Sequence, residues 1–248
     1  MEQKIDFIFG TRPVLEAMES RQTIDKLLIK QGSTGENLGE IIAKAKQYQI
    51  PIQFVPLEKL NRVTAKNHQG VIAFLSVVEF QPVDEIIHRV FAAGKAPLVV
   101  ALDGVTDVRN MGAIIRTAEC AGVDVVLLPE RNSARLGADT VKTSAGAIYH
   151  LPISRAGSLS TALKNLKNSG LQIVCASEKA AEPYHKVDLT VPTVLVLGAE
   201  DTGISNEIIR MADYLVQIPI FGKIGSLNVS NAAAVLIYET VRQRQQSL

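Results

Sequence analysis

Three separated stretches hold the residues whose types and spacing could do chemistry. The first is Asn110-Met-Gly-Ala-Ile-Ile-Arg116, where an amide and a guanidinium stand six residues apart near the start of an amphipathic helix. Six residues turn a helix by about 600°, which leaves Asn110 and Arg116 about 120° apart around the axis. Such an arginine can clamp a phosphate, or it can simply sit on the polar stripe. The second is Leu197-Gly-Ala-Glu200, closed by Gly203. A carboxylate between glycines just past an apolar strand can pair a cation or orient a substrate, and it can equally be an acid favoured at a helix N-terminus. The third runs from Ile218-Pro219 through Gly222 and Gly225 to Ser226-Leu-Asn-Val-Ser-Asn231, ahead of an alanine-rich helix. One capping side chain starts a helix. Four small polar ones (Ser226, Asn228, Ser230, Asn231) exceed that need.

The elements that must position these stretches fall into two groups. Residues 1–80 alternate helix and strand: helix from Thr11 with Thr11 as cap, strand 24–30, helix from Leu38, strand 51–55, helix 57–63 and strand 71–78. This composes a small α/β unit. Residues 81–96, polar with Gly94 and flanking prolines and holding a small amphipathic segment from Val83 to Phe91, read as a linker. From residue 97 to 248, apolar runs at 98–102, 123–128, 171–176, 193–197 and 214–218 alternate with helical segments. Runs as apolar as Leu98-Val-Val-Ala-Leu102 suit strands buried on both faces, so the expected architecture is α/β with a mostly parallel sheet. Ligands in such a sheet bind beyond the carboxyl ends of the strands, where the three stretches lie.

Composition narrows the field further. The 248 residues carry a net charge of +1 and 47% hydrophobic residues, with no global basic excess. Cys120 and Cys175 stand in apolar surroundings without metal-ligand spacing and read as buried, reduced thiols. The four histidines are scattered, so no metal is expected. There is no G-x-G-x-x-G after a strand, no P-loop and no G-x-S-x-G elbow, which removes dinucleotide, nucleoside-triphosphate and serine-hydrolase chemistry in their usual forms. No apolar run is long enough to span a bilayer, and the expectation is a cytoplasmic protein.

In order and placement, Asn110-Met-Gly-Ala-Ile-Ile-Arg116, Leu197-Gly-Ala-Glu200 with Gly203, and Ile218-Pro with Ser226-Leu-Asn-Val-Ser230 resemble the three motifs of the SpoU (TrmH-type) RNA ribose 2′-O-methyltransferases. Phe9-Gly-Thr-Arg-Pro-Val-Leu-Glu-Ala and His68-Gln-Gly-Val resemble the small L30e-like substrate-binding domain of the subgroup that methylates a guanosine in 23S ribosomal RNA. The resemblance implies a trefoil-knotted C-terminal domain that binds S-adenosylmethionine, and a homodimer formed through that domain. It implies Asn110, Arg116, Glu200, Ser226 and Asn228 as catalytic residues. Leu197, Gly198, Gly203, Ile218, Ser226 and Leu227 would hold the cofactor. Asp201-Thr202 follow the acid where the family pattern has smaller residues. Arg12, Arg62, Lys66 and His68 are candidate RNA contacts in the first domain.

Methylating a ribose requires the 2′-hydroxyl held in line, negative charge on its oxygen stabilised and water excluded. Family usage makes Arg116 the general base. Neutralising a guanidinium of pKa about 12.5–13.8 near neutral pH costs roughly 7–9 kcal/mol. A charge-stabilising role and a base role both stand at this point. Transfer RNA, another ribosomal site, and a non-catalytic RNA-binding assembly factor are the competing readings.

Overall fold

The computed structural model describes residues 7–20, 22–48 and 50–246. The chain divides into two compact units, one comprising the described residues up to Glu79 with Arg135–Ala138, the other Phe80–Ala134 and Asp139 onward.

The first unit is a four-stranded sheet of β1 (Phe7–Phe9), β2 (Ile24–Lys30), β3 (Ile52–Val55) and β4 (Val71–Leu75), in the order β1-β4-β2-β3. β2 runs parallel to β3, and β4 antiparallel to both of its neighbours. The two-residue period of a strand divides the side chains between two cores. Leu27 and Ile29 join Val14, Met18 and Ile41 beneath α1 (Thr11–Glu19) and α2 (Glu36–Gln47). Leu28 joins Leu60, Ile72 and Phe74 beneath α3 (Leu57–Val63). Thr11 does not cap α1: its backbone N–H and its hydroxyl both donate to Gln69 Oε1, at 2.9 and 3.0 Å. The apolar run at 71–78 pairs only as far as Leu75.

The second unit contains a seven-stranded sheet, parallel throughout, in the order β7-β6-β5-β10-β8-β11-β9. Its strands are β5 (Leu98–Asp103), β6 (Val125–Pro129), β7 (Ile153–Ala156), β8 (Gln172–Ala176), β9 (Glu182–Pro183), β10 (Thr193–Gly198) and β11 (Tyr214–Gln217). One face buries Val99, Ala101, Val125, Leu127, Ile173, Cys175, Val194 and Val196 against α4 (Val83–Ala92), α7 (Leu159–Asn168) and α8 (Asn206–Met211). The opposite side carries α5 (Val108–Cys120) and α9 (Val229–Gln246), which pack on one another, with α9 also against β10. A sixth helix of this unit, α6 (Ala138–Thr143), lies between β6 and β7 in sequence. Helices on both faces explain why the central strands are continuous apolar runs.

The segment expected as a linker, 81–96, is mostly helix. Val83, Ile86 and Ile87 recur at helical spacing and are buried in this unit's core, so α4 belongs to it. Cys120 is exposed at the end of α5, contrary to the expectation of a buried thiol. Cys175 is buried in β8, and burial pushes its thiol up to about 12. Arg244 anchors the end of α9 by donating to the carbonyls of Ala96, Pro97, Leu189 and Val191 at 2.6–3.1 Å. Among the described residues no helix is long and apolar enough to cross a membrane.

Strand order creates the place for a site. From β5 the chain steps outward through β6 and β7, then crosses to β8, and β10 inserts between β5 and β8. β5 and β10 run in register to their ends, with Gly198 opposite Asp103. The loops leaving these two strands diverge there, which is the switch point at which open α/β sheets bind ligands.

Candidate active site

Asp107 starts α5. Its carboxylate accepts from the backbone N–H groups of Arg109 at 2.7 Å and Asn110 at 3.3 Å. The Arg109 guanidinium, with these two N–H groups, holds the Asp107 carboxyl below the usual carboxylate range. Asn110 therefore sits inside the first turn rather than at the helix boundary, with its side chain free to reach outward. Gly112, two residues further along the helix, serves packing. A Cβ there would run into the side chain of Thr143 and the backbone of Ser144.

Beyond β10 the chain turns back at once. Gly203 N–H donates to Ala199 O at 2.9 Å, and Gly203 takes φ 68°. The fold is so tight at this point that a Cβ on Gly198 would overlap the backbone of Gly203 and Ile204. Only glycine fits there, and the tight turn directs Glu200 outward.

The third stretch ends at α9, whose first residue is Val229. Of the four small polar side chains ahead of or within its first turn, Asn228 performs the capping. Its Oδ1 accepts from Ser230 N–H at 2.9 Å and from the Ser230 hydroxyl at 2.6 Å. That fixes the amide end of the same side chain toward the other two stretches.

The three stretches converge. Asn110 Nδ2 donates to Glu200 Oε1 at 2.7 Å, and Asn228 Nδ2 donates both to Glu200 Oε1 at 2.6 Å and to Asn110 Oδ1 at 3.0 Å. The carboxylate is held by two amides on one oxygen, and a carboxylate so held offers its remaining lone pairs to a ligand.

The other candidates stand at differing distances from this triad. Arg116 lies on the solvent side of α5, about 9 Å further along the axis than Asn110. Among the described residues its guanidinium makes no hydrogen bond or ion pair. Ser226 and Leu227 are exposed in the loop before α9, and the Ser226 hydroxyl has no hydrogen bond among the described residues. Gly198, Gly203 and Ile218 mark the loops after β10 and β11. Leu197 is different: its side chain is buried in β10, so only its backbone can reach a ligand. Of the candidate RNA contacts in the first unit, Arg12, Arg62 and Lys66 are exposed, but His68 is buried. Its Nδ1 accepts from Gly70 N–H at 3.0 Å and its Nε2 lies 3.0 Å from Asn61 Oδ1, so it shapes its loop from within. Asp107 and Asp103 are the site-forming residues that motif reading passed over. Asp103 Oδ2 accepts from Ser205 N–H at 2.8 Å and ties β5 to the start of α8. A serine, threonine, asparagine or aspartate just before a helix is the signal that would have found Asp107.

Comparison with known proteins gives a consistent family. Residues 97–238 match the SpoU rRNA Methylase family, and residues 7–81 match the family described as RNA 2′-O ribose methyltransferase substrate binding. YacO of Bacillus subtilis, named as a TrmH family tRNA/rRNA methyltransferase, is 32% identical over 244 residues, 98% of each chain. A protein of the same description from Staphylococcus saprophyticus is 35% identical over 237 residues, 96% of this chain and 95% of its own. The SpoU methyltransferase AviRb from Streptomyces viridochromogenes, crystallised with AdoMet, is similar in structure with a TM-score of 0.62 at 26% identity. That match covers 97% of this chain and 90% of AviRb. With more than half of its length matched by the methylase family and close relatives along nearly all of it, the chain belongs to the SpoU (TrmH) family of RNA methyltransferases.

Proposed function

We propose that this enzyme uses S-adenosylmethionine to methylate the 2′-hydroxyl of a ribose, a guanosine ribose, in large-subunit (23S) ribosomal RNA. The observation that carries the reading is the Asn110–Glu200–Asn228 triad at the switch point between β5 and β10. It gathers one residue from each of the three stretches and sets them beside loops able to hold a nucleoside.

The residues fit the cofactor. The cradle is the set of loops after β10 and β11, on the same edge of a parallel sheet, with a glycine-pinned turn at 198–203. Ile218 and Leu227 offer partly exposed apolar surface, and Ser226 an uncommitted hydroxyl. Apolar side chains, backbone groups and a hydroxyl make a donor set suited to the uncharged adenosine part of the cofactor. When bound, S-adenosylmethionine supplies an electrophilic methyl group on a sulfonium.

The chain's own residues do the rest. Arg116, exposed and free of any ion pair among the described residues, meets the phosphate flanking the target ribose and stabilises negative charge growing on the 2′-oxygen. Glu200, fixed by the two asparagines, orients the ribose hydroxyls through its free lone pairs and takes the proton that the 2′-hydroxyl loses as the methyl group arrives. Ser226 completes the site from the loop before α9. Residues 97–248 form the methyltransferase part, with the C-terminal trefoil knot the family resemblance implies, and the first domain presents RNA.

A homodimer through the C-terminal part fits the surface. Phe221 is 98% and Ile224 77% exposed, with Tyr214, Leu215 and Tyr238 also open to solvent. Apolar side chains so exposed support the reading of a surface that a second copy covers. Incubation with labelled S-adenosylmethionine and either unmodified 23S rRNA or bulk transfer RNA tests the substrate. Label is expected in the ribosomal RNA, and transfer to tRNA alone would overturn that assignment.

A further inference from the structure

A pocket opens beside the triad, and apart from the shared turn at Gly203 the methyl-transfer reading makes no use of its lining. It has a volume of about 420 Å3 and lies at the carboxyl ends of β5, β6 and β7. The cofactor loops follow β10 and β11, on the other side of the switch point. The turn after β10 is the wall between the two. Thr202 and Gly203 line the pocket, while Glu200 of the same turn engages Asn110 and Asn228.

The charged part of the lining points to a ligand class. A cavity of this volume lies within the range that takes a small organic group, about 300–1,000 Å3, and exceeds what a lone ion needs. Leu159 and Ile208 supply apolar surface, Asp103 and Glu207 carboxylates, Arg131 a guanidinium, and one amide and four hydroxyl side chains, Asn132 among them, neutral polar groups. Ionised carboxylates only accept, so a ligand group that meets Asp103 or Glu207 brings N–H donors. Single-stranded RNA is read by splaying bases out and bonding their Watson–Crick edges. Guanine is the base whose edge presents two adjacent donors, N1–H and N2–H, with an acceptor, O6, beside them. Uracil sets its one N–H between two carbonyls, and adenine and cytosine set an amino group beside a ring acceptor.

We propose that this pocket holds an unstacked guanine of the RNA substrate, with Glu207 or Asp103 accepting from N1–H and N2–H and Arg131 donating to O6. Asp103 has one oxygen committed to Ser205 N–H, whereas Glu207 is exposed in the first turn of α8 with no side-chain hydrogen bond among the described residues. Glu207 is therefore the stronger specificity determinant. The proposal rests on the RNA methyltransferase reading, and makes the pocket the place where that enzyme chooses its sequence.

The test is binding of guanosine, adenosine, cytidine and uridine 5′-monophosphates to the full chain, followed by amide chemical shifts, without any methylation. GMP is expected to bind about tenfold tighter than AMP, with shifts at residues around Gly203 and Leu159. Inosine monophosphate, which lacks the N2 amino group, is expected to bind more weakly than GMP. Glu207→Gln is expected to erase the preference and leave S-adenosylmethionine affinity unchanged. Equal affinity for all four nucleotides, or a GMP preference that survives Glu207→Gln, overturns the proposal. Failure of the methyltransferase reading gives a different result, namely absent methyl transfer with these binding preferences intact.

Discussion

Asn228 Nδ2 lies 2.6 Å from Glu200 Oε1, while the other end of the Asn228 side chain caps α9 through Ser230 N–H. A single side chain thus joins helix start and candidate active site, and its two ends can be separated by mutation. Aspartate caps a helix as well as asparagine does, but it has no N–H to donate and would set a second carboxylate against Glu200. Asn228→Asp should leave the melting temperature within a few degrees of the parent and reduce methyl transfer by about 100-fold or more. Asn228→Ala should lose activity and also about 1 kcal/mol of stability through the missing cap. Paired thermal melts and kinetics separate the two; equal melting of both variants would contradict the capping role.

Arg116 has no partner among the described residues, so its removal should cost the fold little. Arg116→Ala should raise the KM for RNA and lower kcat. The salt dependence of RNA binding should flatten by about 0.7–0.9 in its logarithmic slope, the contribution of one phosphate contact. Arg116→Lys keeps the charge but not the planar fork. It should restore the slope and only part of kcat. A lysine variant with full kcat would rule out a bidentate clamp.

Gly198 makes a sharp packing prediction. The added methyl of Gly198→Ala would overlap the Gly203 and Ile204 backbone, so the turn must open. Overpacking of this kind costs about 1–3 kcal/mol. The same displacement would shift Glu200 and the loop proposed to hold the cofactor, and calorimetry should show S-adenosylmethionine affinity falling together with the melting temperature. Unchanged cofactor affinity would mean that this turn is not part of the cradle.

The pH dependence of stability has a local source at Glu239. It is buried in α9, and Arg242 holds its carboxyl below the usual range, with a further hydrogen bond from Gln243. A carboxyl depressed in the folded state stabilises above its unfolded pKa, and that stability is lost as pH falls through the folded value. The parent should therefore weaken on acidification below about pH 4.5. Glu239→Gln should flatten that part of a urea-midpoint profile, and a profile identical to the parent's would assign the acid sensitivity elsewhere.

Much of this molecule can be read from its sequence, and the omissions have physical reasons. β5 and β10 announce themselves because strands buried on both faces are unbroken apolar runs. β7 does not: four residues that include Ser154 and Arg155 carry too little pattern, and it is an edge strand. α4 is legible as an amphipathic segment, with Val83, Ile86, Ile87 and Val90 at helical spacing, but the prolines and Gly94 that flank it give it the look of a linker. The triad is a matter of topology. Asn110, Glu200 and Asn228 are separated by 90 and 28 residues, and no local period brings them together. Their meeting depends on β10 inserting beside β5, a strand order that apolar patterning does not encode.

The central claim is ribose 2′-O-methylation of large-subunit RNA. Its most direct test is alkaline hydrolysis of 23S rRNA after incubation with the protein and methyl-labelled S-adenosylmethionine. A 2′-O-methyl group removes the hydroxyl that attacks the neighbouring phosphodiester, so the label should remain in an alkali-resistant dinucleotide with guanosine at its 5′ side. The Asn110→Ala and Glu200→Ala variants should leave that dinucleotide unlabelled. Label released in ordinary mononucleotides, or no transfer by folded protein that binds the cofactor, would contradict the account.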